Sequence, residues 1–94
     1  MLEKSIQSNL IKFLNNKGHY VVKVIQATKA GVPDVLACIN GKFVGIECKT
    51  PKTKSNVSDL QKYNLDKISK AGGIAIVYYG QDLEEFYETI ITSN

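Results

Sequence analysis

The sequence predicts an α/β fold in the element order α-β-β-β-α-β-α, with a mixed central sheet flanked by helices. Three observations carry this prediction. Residues 2–17 have the apolar spacing of an amphipathic helix, and the hairpin signal Asn40-Gly41 lies between two apolar runs. A strand, a helix and another strand then follow in succession, which implies a parallel pair joined by a right-handed crossover.

The predicted first helix runs from Leu2 to Lys17 and is followed by Gly18, a residue type that favours helix ends. Glu3 and Gln7 lie one turn apart near its start and border the apolar stripe, so both could point at a site. For Glu3 a simpler explanation stays open, because an acid in the first turn also complements the helix dipole. The stripe itself comprises Ile6, Leu10, Phe13 and Leu14.

The hairpin organises the rest of the chain. Asn-Gly favours a two-residue type I′ turn, in which Ile39 pairs with Lys42. Continuing that register places Asp34 directly opposite Glu47, with their Cβ atoms about 4.5–5.5 Å apart on one face of the sheet. Lys49 lies two residues beyond Glu47 and so points to the same face.

Two carboxylates in opposed positions repel each other, so the pair needs a compensating charge. A divalent cation is one explanation, because hard ions prefer oxygen ligands. A surface network of Asp34, Lys49 and Glu47 at a strand end is the other, and residue types and spacing leave both open.

Both faces of the hairpin are expected to be covered by other elements, because both are apolar away from the charges. Cys38 and Cys48 fall on opposite faces in this register, which argues against a disulfide between them. Their spacing matches no zinc pattern either. We expect both to be reduced thiols in the core.

The remaining elements follow from local signals. His19, the only histidine, opens a partly alternating strand and is expected to be a surface or loop residue. Ser58 and Gln61 form a capping box at the start of a helix that ends at Gly72-Gly73. The other predicted elements are a strand at His19–Ile25, a mobile basic loop at Thr50–Val57, an interior strand at Ile74–Tyr79 covered on both faces, and a short C-terminal helix that begins at Asp82.

The length of 94 residues indicates one domain. The twelve basic residues are all lysines within residues 1–70, which carry a net charge of +7, whereas residues 71–94 carry −4. Such a basic body suits contact with a phosphate backbone, and the lack of arginine disfavours base-specific readout. No segment has the length of a membrane span or the apolar region of a signal peptide, so we expect a cytoplasmic protein that binds no membrane.

Pro33-Asp34 followed by Glu47-Cys48-Lys49 across a hairpin resembles the PD-(D/E)-x-K nuclease superfamily. Further features narrow the resemblance to its VRR-NUC family, the virus-type replication-repair nucleases, over nearly the whole chain. The chain is similar to the small stand-alone members carried by phages and bacteria. The further features are Glu3 and Gln7, Gly31, Ile46 and Thr50-Pro51 around the motif, the lysine loop, Ser58 and Gln61, and Gly72-Gly73.

The resemblance implies a single VRR-NUC nuclease domain over residues 1–94, with a restriction-endonuclease-like α-β-β-β-α-β core and a short C-terminal helix. Asp34 and Glu47 would bind Mg²⁺ or Mn²⁺ together with the backbone carbonyl of Cys48. Glu3 would be a catalytic residue that assists metal or water binding from the first helix, and is a possible further metal ligand. Lys49 would orient the attacking water and stabilise charge on the phosphate, and Gln61 would complete the catalytic set.

The implied activity is metal-dependent hydrolysis of DNA phosphodiester bonds, selected by DNA structure. Stand-alone members resemble archaeal Holliday junction resolvases, which implies a homodimer acting on four-way junctions. The residues expected to contact DNA are Lys52, Lys54, Lys29 and Gln7. Two alternatives remain open, namely a general or nicking DNA nuclease and a non-catalytic DNA-binding module with a vestigial site.

Overall fold

A computed structural model describes residues 2–93 as three helices and one four-stranded mixed sheet, which confirms the predicted fold class. Met1 and Asn94, the two ends of the predicted domain, lie outside the described residues. The elements are α1 (Glu3–Asn16), β1 (Tyr20–Lys23), β2 (Val35–Ile39), β3 (Lys42–Cys48), α2 (Asp59–Lys70), β4 (Ile74–Tyr78) and α3 (Leu83–Ile91).

The turn between β2 and β3 confirms the predicted hairpin and its register. Asn40 and Gly41 have φ angles of 51° and 80°, the positive values that a type I′ turn requires at both central positions. Ile39 pairs with Lys42, and the ladder continues to Val35 opposite Ile46. The turn residues therefore determine which side chains of the two strands share a face.

The sheet has the strand order β1-β2-β3-β4, with antiparallel pairs except for the parallel pair of β3 and β4. The parallel pairing confirms the prediction from the strand–helix–strand order. The prediction that Ile74–Tyr79 forms an interior strand is wrong, because β4 lies at the edge of the sheet and Ile74–Val77 are only half-buried. An apolar run indicates contact with helices above and below a strand, and does not require a second neighbouring strand.

One face of the sheet forms the core with α1 and α3. Its side chains are almost fully buried, and Leu10 and Leu14 of α1 have no exposed surface at all. On the sheet this face comprises Val35, Ala37, Ile39, Val44, Ile46 and Cys48, and the helices contribute Ile6, Leu10, Leu14, Phe86 and Ile90.

The opposite face is only partly covered, which corrects a second prediction. Helix α2 packs on this face against β3 and β4, so Gly45 lies directly beneath Ile68. The part of the face on β1 and β2 has no helix over it among the described residues, and Cys38 and Phe43 are exposed. Cys48 is a buried free thiol as predicted, whereas the prediction that Cys38 belongs to the core is wrong.

Within residues 2–93, none of the helices combines the length and the apolar character that crossing a bilayer requires.

Candidate active site

The structure places Asp34 and Glu47 side by side at the end of the hairpin. Asp34 immediately precedes β2. Val35 pairs with Ile46, so continuing the antiparallel register by one residue on each strand places Asp34 opposite Glu47. The backbone N–H of Cys48 donates to Oδ2 of Asp34 at 2.9 Å, and the carbonyl of Asp34 accepts from Val24 N–H at 2.8 Å. The backbone of two neighbouring strands thus holds both the main chain and the carboxylate of Asp34.

Glu47 is a buried carboxyl with only 2% of its surface exposed. Burial, followed by the close carboxylate of Asp34, raises its pKa to about 8, against the opposing effect of Lys49. The negative charge of Glu3 raises the pKa of Glu47 by a smaller amount, so the start of α1 lies close enough to interact electrostatically with the two carboxylates. Without a compensating cation, the second negative charge at this position is therefore costly near neutral pH.

Lys49 and Gln61 both contact the same oxygen of Glu47. The ammonium of Lys49 lies 3.9 Å from Oε2, and its side chain is only 14% exposed. Nε2 of Gln61 donates to Oε2 at 3.0 Å, while Oε1 of Gln61 accepts from the backbone N–H of Ser58. The capping box and the contact with the site are therefore made by the two ends of one amide, and are not alternatives.

The other oxygen of Glu47, Oε1, is buried and has no hydrogen-bond partner in the part of the chain that the structure describes. A buried carboxylate oxygen without a donor is costly, and a divalent cation is the kind of group that would satisfy it. The two carboxylates and the carbonyl of Cys48 at the end of β3 are oxygen ligands of the type that Mg²⁺ and Mn²⁺ prefer. The residues present therefore fit the expected ion.

Glu3 does not complete a three-carboxylate cluster. Among residues 2–93, no group of three His, Cys, Asp or Glu side chains is close enough to share a metal ion, and Glu3 is exposed at the start of α1. An ion at Asp34 and Glu47 would therefore take its remaining ligands from backbone oxygen and water, as Mg²⁺ commonly does. A direct metal contact of Glu3 stays a prediction.

Comparison with known proteins agrees with this geometry. A family model described as archaeal Holliday junction resolvase (Hjc) matches residues 4–77. The chain belongs to this family. A protein of Acyrthosiphon pisum secondary endosymbiont phage 1, provisionally named nuclease p44, is 29% identical over 89 residues that cover 94% of each chain. Family membership and this relative support a nuclease activity.

The archaeal Holliday junction resolvase family lies within the PD-(D/E)xK superfamily, so the superfamily inferred from Pro33-Asp34 and Glu47-Cys48-Lys49 is confirmed. The narrower assignment to VRR-NUC is not confirmed. The matched segment contains every residue predicted for the site except Glu3, which lies one position before it.

The loop that presents Asp34 in this resolvase-family fold is tied to α2 by a residue for which we predicted no role in the site. Nδ2 of Asn64 donates to the carbonyl of Ala30 at 3.1 Å, and Asn64 is almost buried. Gly31 has φ +81°, and a Cβ atom there would lie 2.7 Å from Cγ of Leu60. The signal was present in the sequence, since Asn64 lies at helical spacing between Leu60 and Ile68, where a polar side chain needs a hydrogen-bond partner.

The lysine loop after Lys49 is better ordered than predicted. Thr50 and Thr53 close it by reciprocal bonds, with Thr50 N–H donating to Oγ1 of Thr53 at 2.9 Å and Thr53 N–H to the Thr50 carbonyl at 3.0 Å. Lys54 extends back so that Nζ lies 4.8 Å from the ring centroid of Tyr79. Tyr79 was not predicted to lie near the site, although its alternation with Val77 places it on the face of Glu47.

The other residues predicted to contact DNA are more scattered. Lys52 and Lys54 are exposed in the lysine loop beside the site, whereas Lys29 lines a hollow beneath α2 with Val32 and Pro33. Gln7 is only 8% exposed and offers little surface to a ligand. DNA contact by all four residues stays a prediction.

Proposed function

We propose that this member of the archaeal Holliday junction resolvase family is a divalent-metal-dependent endonuclease that cuts branched DNA, with the four-way junction as its preferred substrate. The observation that carries the proposal is the buried Glu47, which lies opposite Asp34 with one oxygen bound by Lys49 and Gln61 and the other without a partner. We further propose that the whole chain acts as one nuclease domain and that two copies act together on one junction.

The ion would be held by Asp34, Glu47 and the carbonyl of Cys48. Glu3 lies close enough to affect the pKa of Glu47 and so the charge balance of the site. A bound Mg²⁺ or Mn²⁺ supplies Lewis-acid polarisation of the phosphate. Gln61 fixes the position of the Glu47 carboxylate, and the Cys48 N–H fixes that of Asp34. Lys49 can orient the attacking water and offset negative charge that develops on the phosphate, because its ammonium is largely shielded from solvent.

The charge distribution supports a DNA substrate. The lysines of residues 1–70 outnumber the acids of that segment by seven, and none of the basic residues is an arginine. Backbone contact without base-specific readout suits an enzyme that selects DNA by shape. Lys52 and Lys54 lie in the loop that directly follows Lys49, so they would bind the phosphates that flank the cut. The phage relative suggests that the enzyme acts in the cytoplasm of a bacterial cell.

The test is cleavage of end-labelled DNA by the full chain. A four-way junction, a linear duplex of the same arm sequence and a flap are incubated with Mg²⁺, with Mn²⁺ or with EDTA. We expect paired cuts near the branch point of the junction only when metal is present. Equal cutting of all three substrates would identify a general nuclease, and binding without cutting in any metal would identify a non-catalytic module.

A further inference from the structure

Helix α2 reaches the surroundings of both carboxylates through two side chains that lie one turn apart. Gln61 donates to Oε2 of Glu47 at 3.0 Å. Asn64, three residues further along the helix, donates to the carbonyl of Ala30 at 3.1 Å, in the loop that leads to Asp34. Side chains three residues apart lie on one side of a helix, so α2 directs both amides towards the sheet. One helix therefore contacts both of the chain segments that carry a carboxylate.

The loop that presents Asp34 needs a restraint. It runs from the end of β1 at Lys23 to the start of β2 at Val35, which is longer than the connection of about 2–5 residues usual between neighbouring antiparallel strands. Residues 25–30 of the loop are all exposed. A long exposed connection opens easily unless other elements hold it. Because Asp34 is the last residue of this loop, the position of its carboxylate depends on how well the loop is held.

The side chain of Asn64 has a single favourable orientation, and that orientation binds the loop. Asn64 is only 6% exposed, at a position where burial of an apolar side chain would cost less. Its Nδ2 atom donates one hydrogen to the carbonyl of Ala30 and the other to the carbonyl of Leu60, at 2.9 Å. The reversed amide would place its oxygen against these two carbonyl oxygens, which also only accept hydrogen bonds. The buried amide is therefore a directed connection between α2 and the loop.

The chain between Ala30 and Asp34 can transmit a displacement from one residue to the other. Gly31 has φ +81°, and a Cβ atom there would lie 2.9 Å from Nδ2 of Asn64, so the backbone of the loop packs directly on α2. Pro33 follows, fully buried and with its φ fixed by the ring. The four residues from Ala30 to Asp34 span at most about 14 Å. A shift of the loop away from α2 would therefore also move Asp34.

We propose that Asn64 is a positioning residue of the site, which holds the loop against α2 and thereby fixes Asp34 at the distance from Glu47 that a divalent cation requires. Mg²⁺ tolerates little displacement of its ligands, because its coordination is short and close to octahedral. Replacing a residue that orients a metal ligand typically weakens metal binding by about 10- to 100-fold. This inference rests on the proposed metal-dependent nuclease and adds a residue that controls its metal affinity without binding the ion.

The first measurement is the affinity of the full chain for Mn²⁺, followed by electron paramagnetic resonance without DNA. Asn64→Ala removes the donor, and Asn64→Asp keeps the size of the side chain but sets a carboxylate oxygen against the carbonyl of Ala30. We expect the dissociation constant for Mn²⁺ to rise about tenfold or more in both variants. Asn9→Ala, an exposed change in α1, is the matched control and should bind Mn²⁺ as the wild type does.

Two further variants separate positioning from a general loss of stability. Ile39→Ala weakens the core at the opposite end of β2 from Asp34, and should leave the Mn²⁺ affinity unchanged while circular dichroism shows a folded protein. Gly31→Ala moves the loop from its own side of the contact, so adding Asn64→Ala to it should weaken Mn²⁺ binding little further. An equal effect of Asn64→Ala with and without Gly31→Ala would overturn the inference. An equal loss of affinity in Ile39→Ala would do the same.

The backbone N–H of Cys48 gives a second readout that needs no metal, because it donates to Oδ2 of Asp34. We measure its hydrogen exchange by nuclear magnetic resonance in EDTA. In Asn64→Ala we expect exchange about tenfold or more faster than in the wild type, since the carboxylate that accepts this bond is then less well held. Ile39→Ala is the reference here too, because it shows how much exchange accelerates through lost stability alone.

The outcomes separate this inference from the proposed nuclease activity. A wild type that binds Mn²⁺ with the same affinity as Asn64→Ala overturns the role of Asn64 and leaves the metal centre in place, even where exchange at Cys48 is faster. A wild type that binds no Mn²⁺ contradicts the proposed metal centre. Exchange at Cys48 then decides the inference, because a rate in Asn64→Ala no faster than in Ile39→Ala shows that Asn64 does not position Asp34.

Discussion

The two faces of the β2–β3 hairpin differ in what covers them, although they come from the same two strands. On one face, Ile39, Val44 and Ile46 are sealed beneath α1 and α3. On the other face, α2 covers only the side nearest β4, and the carboxylates, Lys49 and exposed apolar side chains occupy the rest. One face of the hairpin therefore contributes to the stability of the domain, and the other face carries the residues with a candidate function.

The same contrast holds for the energetic role of individual residues. The core face has the close packing and complete burial that stabilise a small domain. The site face retains a buried carboxyl with an unsatisfied oxygen and a pKa of about 8, which opposes folding at neutral pH. Unfavourable local interactions of this kind are concentrated at functional sites, because binding there can offset them.

The largest expected effect concerns the opposed carboxylates. Glu47→Gln keeps the size of the side chain but removes the negative charge, and should lower junction cleavage by about three orders of magnitude or more while DNA binding persists. Glu85→Gln, an exposed change in α3, is the matched control and should cleave as the wild type does. Retained cleavage in Glu47→Gln would mean that the carboxylate pair is structural.

Neighbouring residues on opposite faces test the difference in stability directly. Ile39 is 1% exposed in the core, and Ile39→Ala should reduce the free energy of unfolding by about 2–4 kcal/mol through lost burial and a cavity. Cys38→Ala changes the adjacent exposed residue and should alter it by less than about 0.5 kcal/mol. Urea denaturation at low protein concentration measures both values. Equal losses would show that the face that carries Cys38 is also covered in solution.

The pKa of Glu47 makes the stability of the metal-free protein depend on pH. The folded-state pKa of about 8 lies above the ordinary value of 4.5, so the folded protein holds a proton that the unfolded chain releases. The stability that this group contributes is therefore complete below about pH 4.5 and is lost as pH rises through 8, by on the order of 5 kcal/mol.

Urea denaturation in EDTA between pH 5 and pH 8.5 measures this dependence, and Glu47→Gln serves as the reference because it cannot titrate. The wild type should lose stability relative to the variant as pH rises. If the two curves run parallel, Glu47 is ionised in the folded state, and Lys49 compensates for its charge.

A smaller effect is expected from the lysine loop. Replacing Lys52 and Lys54 by alanine should weaken junction binding and reduce the slope of log K against log salt by about 1–2, because two phosphate contacts are lost. Replacing Lys12 and Lys62, exposed residues of α1 and α2, gives a control of equal charge. An unchanged slope in the loop variant would mean that the loop only connects β3 to α2.

Much of the site could be predicted because it depends on a local signal. Asn40-Gly41 accepts positive φ at both positions, and the two-residue periodicity of strands then carries the register to Asp34 and Glu47. The capping box of Ser58 and Gln61 was equally local. These features required no knowledge of how the elements pack.

Several of the missed features depend on where α2 lies across the sheet. Its position over β3 and β4 leaves Cys38 exposed, although the segment around Cys38 is apolar enough to suit an interior position. The same docking brings Nε2 of Gln61 to Glu47 and lets Asn64 hold the loop at Ala30. Apolar periodicity identifies the surfaces that prefer burial, but it does not determine which helix covers each of them.

Metal binding by the full chain tests most directly whether the opposed carboxylates form a site. Titration of Mn²⁺ into metal-free protein, followed by electron paramagnetic resonance, reports binding without DNA or cleavage. We predict saturable binding in the wild type, loss of that binding in both Asp34→Asn and Glu47→Gln, and no change in Glu85→Gln. Binding that is equal in the wild type and in Glu47→Gln would contradict the assignment of this carboxylate pair as the metal centre.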